Sequence, residues 1–304
     1  MIARTFLWIS RYRKEIICFT LPMIVAFAVH LLWWKHLIYL GPDARLYYSI
    51  AENFCNTGHF IQTARDIPKL VVPFGVPLIL TLLRIIGLNL SMIIALQYVM
   101  LGTACLLLYK TEQVLFGRGG FAPAFYCIAL FRSQIDLYDI YVEHYALLLL
   151  IVVLYLSARK DLPEKKRLTG MNLAGAYMVA CRPVLTPVYI AVLLYSFMKL
   201  VRRDLSVNRL ALLLLIPTVL FGANTLVNYR ETGYPIVMDS YSGKDFYAAN
   251  NANASTEYYT SKVYDTFGED YTSVENNSQL DQPSKNEIYK QLGKKWIREN
   301  PGTF

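Results

Sequence analysis

Apolar and polar positions in this chain are sorted into long blocks rather than alternating along amphipathic elements. Through residues 16–227, apolar runs approaching the width of a bilayer recur, separated by short polar stretches. Spans are predicted over residues 16–34, 90–109, 121–131, 141–156, 173–181, 188–200 and 210–227, the shorter ones extended into their flanks. An eighth run, 71–87, carries Pro73, Gly75 and Pro77 near its start and Arg84 near its end. It reads either as a span or as a helix lying in the membrane interface. After Val227 the material changes to a polar segment, 228–304, rich in Asn, Ser, Thr and Tyr, with no spanning run. A helix is predicted over residues 286–300, where Ile288, Leu292 and Trp296 recur every four positions. The chain stops at Phe304 with no closing element, so this segment is expected to be incomplete.

Charge decides the topology. If the 71–87 run does not span, the basic stretches all fall on one side. These are the N-terminal Arg11, Arg13 and Lys14, the 110–118 loop, the 159–167 loop and the 199–209 loop. That side is cytoplasmic by the positive-inside rule. A spanning 71–87 run would move the strongly basic 159–167 loop outside, so the interfacial reading is preferred. The outer face then receives the 35–89 loop, the 132–140 and 182–187 turns, and the segment from 228 on.

Composition agrees. Of 304 residues, 55% are hydrophobic and 17% charged, with a mean hydropathy of +0.33, which identifies an integral membrane protein of all-α, polytopic class. The net charge of +8 is accounted for by the cytoplasmic loops, and no nucleic-acid-binding pattern accompanies it. No small-residue cleavage site follows the first apolar run, which reads as a retained signal anchor. Four of the five cysteines fall in apolar runs, Cys55 lies in a loop, and no CxxC or Cys/His spacing supports a disulfide framework or a zinc site. His30, His36, His59 and His144 show no metal spacing either.

The chemistry-bearing residues cluster on the outer side. Asp43 follows the first span in Gly41-Pro42-Asp43-Ala44-Arg45. Beyond it Leu46, Tyr47, Ile50, Ala51 and Phe54 share one face, as in an interfacial helix. Asp43 is a candidate catalytic acid, or the N-cap of that helix. Asp136, Asp139 and Glu143 form a second acidic group at the head of the 141–156 span. Glu143 lies deepest, where a carboxylate needs a partner or a cavity. Arg182, at an outer helix end, suits a phosphate through its guanidinium fork, or a snorkelling anchor. Arg65 and Lys69 are further candidates of that kind. Past the last span, Tyr229 and the amides Asn250 and Asn251 suit sugar hydroxyls, or ordinary turns.

In this order the motifs resemble the GT-C membrane glycosyltransferases that use polyprenyl-phosphate sugars, the superfamily of protein O-mannosyltransferases and lipid A aminoarabinose transferases. The likeness rests on Gly41-Pro42-Asp43 with Tyr47, Ala51 and Thr57-Gly58, then Pro73-Phe74-Gly75-Val76-Pro77, then Glu143 and Arg182-Pro183. Asn228-Tyr229-Arg230-Glu231-Thr232-Gly233 with Asn250-Asn251, and Trp296-Ile297-Arg298-Glu299-Asn300-Pro301, complete it. The resemblance implies a transmembrane catalytic module over residues 1–227, about seven spans with interfacial helices, and an extracytoplasmic segment over 228–304. It implies transfer of a sugar from a polyprenyl-phosphate donor to a glycan, lipid or protein acceptor, at the outer face of a bacterial inner membrane. Asp43 would be base or acceptor-orienting acid, and Glu143 or Asp139 would position the acceptor or a divalent cation. Arg182, with Arg45, Arg65 and Lys69, would hold the donor phosphate, and Tyr47, Tyr229, Asn250 and Asn251 the substrate. Unlike the family's pattern, the first loop has no paired acids, so the metal is left open. A transporter or flippase of lipid-linked sugar, or an inactive partner subunit, are the competing readings.

Overall fold

The computed structural model describes residues 12–33, 40–64, 67–69, 72–132, 139–202, 205–238, 242–252, 254 and 269–302. The chain is predominantly helical. In order, the elements are α1 (Arg13–Trp33), α2 (Pro42–Thr57), the strands β1 (Gln62–Ala64) and β2 (Ile67–Lys69), α3 (Gly75–Ile85), α4 (Leu90–Phe116) and α5 (Phe121–Arg132). Then follow α6 (Val142–Ala158), α7 (Glu164–Cys181), a 3₁₀ turn (Pro183–Leu185), α8 (Thr186–Val201), α9 (Val207–Thr232), α10 (Ser242–Ala249), α11 (Glu269–Glu275) and α12 (Gln282–Glu299).

Four of the described helical stretches are long and apolar enough to cross a membrane: Arg13–Leu32, Leu90–Phe116, Pro183–Val201 and Val207–Thr232. Their outward side chains, among them Ile24, Leu32, Leu194 and Leu226, are exposed, as lipid-facing residues of a membrane protein are. Pro22 in α1 and Pro217 in α9 are tolerated because bilayer-embedded helices accommodate prolines far better than soluble ones. The expectation of seven spans meets shorter helices at the other places. α5 and α6 have 12 and 17 residues. α7 opens on Glu164, Lys165, Lys166 and Arg167, which leaves only its second half apolar. The 71–87 run holds an 11-residue helix, α3, about 16 Å long and half of what a crossing needs.

The described residues fall into two units. The first takes in Met1–Phe60 and Pro73–Ala223. In it α7 is the most enclosed helix, with Ala176, Met178, Ala180 and Cys181 at 0% exposure. Its small residues admit neighbours closely: α6 and α8 pack along it, and α1 and α6 pack on α4. Caps set the ends. Asn89 accepts from the Met92 amide (3.0 Å) to start α4, and Gly58, at φ 77°, closes α2, a left-handed turn that favours glycine.

The second unit comprises Ile61–Val72 and Asn224–Phe304. β1 and β2 form an antiparallel hairpin in which Gln62 faces Lys69 and Ala64 faces Ile67. Tyr247, Ala248, Tyr271, Val274 and Tyr289 form a core covered by Ile288 and Leu292, two of the three residues of the apolar stripe expected over 286–300. Tyr289 stacks on both Tyr247 (5.8 Å) and Tyr271 (5.4 Å). Beside it Glu275 accepts hydrogen bonds from the Tyr289 hydroxyl (2.9 Å) and the Lys244 ammonium (3.1 Å). Burial alone would raise the Glu275 carboxyl, but Tyr289, Lys244 and Lys285 outweigh it and hold it below its ordinary 4.5. A depressed carboxyl contributes stability above the unfolded value and loses it as pH falls through the folded one. The near-ultraviolet tyrosine signal of this core is therefore expected to weaken as pH drops below about 4.5. Glu275→Gln should flatten that dependence; an unchanged profile would show that the cluster does not govern it.

Candidate functional site

The site is built at the start of α2. Gly41 is extended (φ −61°, ψ 171°) and Pro42 opens the helix, its fixed φ suiting the first turn. The N-cap is Gly41, with no side-chain cap, so Asp43 does not cap. Instead it lies in the first turn, where the helix dipole favours an acid. Its carboxylate is exposed and has no hydrogen bond or ion pair among the described residues. One turn on, Tyr47 is buried (7% exposed). Burial, reinforced by the charges of Asp43 and Glu143 and opposed by Arg182, raises its phenol. Tyr47 thus stays a neutral hydroxyl beside two carboxylates and a guanidinium.

Asp139 fixes this entrance. It is 3% exposed. Its Oδ2 accepts from the Gly41 amide (3.0 Å), its Oδ1 from the Ile140 amide (2.8 Å), and its carbonyl from the fully buried Gln97 side chain (2.7 Å). Both carboxylate oxygens are thus engaged by backbone, a buried acid compensated by amide donors. Asp139 ties the Gly41 turn to α4 and α6, which is a positioning role. Asp139→Ala would strand two amides and is expected to cost about 1–3 kcal/mol. An unchanged melting temperature would remove the anchor.

Glu143 and Arg182 meet directly. Glu143 lies in the first turn of α6 and Arg182 just past the end of α7, so each helix end favours the charge it carries. Arg182 Nη1 and Glu143 Oε1 are 2.6 Å apart, with side chains 44% and 26% exposed. The end of α7 is held by the start of α3. A Cβ on Gly75 would stand 2.5 Å from the Cys181 nitrogen and 2.6 Å from the Ala180 carbonyl carbon. The Tyr177 hydroxyl donates to the Gly75 carbonyl (2.6 Å). The proline-flanked run around Gly75 thus docks onto the residues immediately before Arg182.

The other candidates fare differently. Arg45 Nε donates to the Leu40 carbonyl (2.8 Å), folding back on the turn before its own helix. Lys69 ends β2, and Arg65 and Asp136 lie outside the described residues. Tyr229 is an exposed residue of α9 (59%). Asn250 and Asn251 are buried, and their amide groups donate to the carbonyls of Phe246, and of Tyr247 and Ala248. They finish α10 rather than offering amides to a ligand, the turn chemistry that their composition also allowed. Asn228 is likewise enclosed, donating to the Ile236 carbonyl (2.6 Å), where it stitches the end of α9. His144 is buried edge-on against Tyr141. Among the described residues, no group of three or more His, Cys, Asp or Glu is placed to hold a metal ion.

Sequence reasoning missed Gln97 and Tyr177. A lone amide inside the apolar 90–109 run was the one signal for Gln97, since a buried amide requires a partner. Nothing local marks Tyr177. Comparison with family models, with curated proteins and with solved structures returned no match for this chain.

Proposed function

We propose that the chain is a membrane glycosyltransferase module that moves a sugar from a polyprenyl-phosphate donor to a hydroxyl of a lipid, glycan or protein acceptor. The observation that carries this reading is an unpaired carboxylate, Asp43, and a guanidinium, Arg182, whose charges both act on the buried Tyr47 hydroxyl. Asp43 withdraws the proton from the acceptor hydroxyl as its oxygen attacks the anomeric carbon. The bond from that carbon to the phosphate oxygen breaks, and configuration inverts. Arg182 stabilises the charge gathering on the departing lipid phosphate, through guanidinium nitrogens other than the one that Glu143 holds. Tyr47 orients the acceptor as a neutral hydroxyl, and Asp139 keeps the Asp43 turn in place.

On this reading α5, α6 and α7 complete seven crossings, α2 and α3 lie in the outer interface, and the basic loops face the cytoplasm. The site then opens to the exterior of a bacterial inner membrane, in the leaflet that holds the donor. The resident lipids, the donor and the acceptor are the partners. The test is incubation of purified chain in nanodiscs with radiolabelled polyprenyl-phosphate sugars. Cleavage of one donor is expected. Movement of labelled lipid across vesicles without cleavage would replace the enzyme by a transporter.

A further inference from the structure

Away from the site, the fold brings two nucleophiles together. Cys105 of α4 and Cys127 of α5 are 22 positions apart, and their Sγ atoms lie 3.5 Å from each other. The turn between their helices is short and fixed. Gly117, at φ 69°, ends α4 with its amide on the Gln113 carbonyl. Glu112 then reaches across, accepting from the Gly120 amide (2.6 Å) and the Ala122 amide (2.8 Å). One carboxylate thus satisfies two of the orphan donors at the start of α5 and sets the register that faces Cys127 to Cys105.

Both thiols lie within the apolar lengths of their helices. Cys105 is fully buried, whereas Cys127 is partly open, on a helix whose Phe125 and Ile128 are 63% and 65% exposed. Hydrocarbon excludes charged oxidants such as glutathione disulfide. An apolar two-electron acceptor dissolved in the bilayer reaches Cys127 from its exposed side. The sulfurs need approach each other by only about 1.5 Å to reach bonding distance.

We propose that Cys105 and Cys127 form a reversible intramembrane disulfide, made by a quinone dissolved in the bilayer. Two S–H bonds break and one S–S bond forms; two electrons and two protons pass to the quinone, which becomes a hydroquinone. The bond closes a loop around the α4–α5 turn and restrains the helix that carries Gln97. It does not depend on the chemistry proposed for the outer face.

The full chain is reduced in nanodiscs, exposed to a decyl-substituted benzoquinone, then denatured and modified with maleimide-linked polyethylene glycol. Modified thiols are expected to fall from five to three, with one hydroquinone formed per chain. Cys18→Ser should still lose two thiols, whereas Cys105→Ser and Cys127→Ser should keep all four. A membrane-impermeant charged oxidant should act at least tenfold more slowly. Peptide mapping of the wild-type chain, which needs no variant to fold, should find the Cys105–Cys127 link. Five thiols remaining, a different link, loss persisting in either serine variant, or equal rates with the charged oxidant would each overturn the proposal.

Discussion

Asp43→Asn is expected to abolish turnover of the lipid-linked donor while leaving the protein folded and inserted. The amide has nearly the same shape but cannot accept the hydroxyl proton. Loss of a positioned base lowers kcat by about 10²–10⁴-fold. Stability should barely change, because the exposed carboxylate makes no hydrogen bond in the described structure and contributes only its favourable place in the helix dipole, about 0.3–1 kcal/mol. Rates with radiolabelled donor, measured beside thermal unfolding, separate the two effects. Wild-type rates from Asp43→Asn would end the case for Asp43 as base. Asp139→Ala provides the contrast, since there stability falls first and activity follows it.

Gly75→Ala is expected to have the larger effect on structure. The new methyl would meet three backbone atoms of Ala180 and Cys181 at 2.5–2.7 Å. No flexible side chain can swing aside, so one helix end must shift away from the other. Overpacking of this kind costs about 1–3 kcal/mol, and the displaced residues lead directly into Arg182. The melting temperature should fall by several degrees, and the KM for the donor should rise as the guanidinium moves. Gly222→Ala is the control, since a methyl there meets nothing within 4 Å. If Gly75→Ala melts and turns over as Gly222→Ala does, the docking of α3 on α7 has no part in setting the site.

Membrane character was legible without coordinates, because lipid solvation demands long apolar runs whatever the tertiary arrangement. So were four of the seven predicted spans, the amphipathic helix after Asp43, and the stripe of Ile288 and Leu292 in α12. A period or a run length is a local property, and each of these is one. The approach of Glu143 to Arg182 is not local, since it needs α6 and α7 to run antiparallel and end together. Nor is the use of the Asp139 carboxylate by the Gly41 amide, 98 positions away. The same holds for the Tyr177 hydroxyl on Gly75, for the hairpin of residues 61–72 grouped with the chain after 224, and for the two thiols meeting across α4 and α5. Composition alone fixed where this chain can live, because transfer into hydrocarbon depends on the residue and not on its neighbours. Which charges face one another was settled only by packing, since helix ends and small-residue contacts bring together groups that chain order keeps apart.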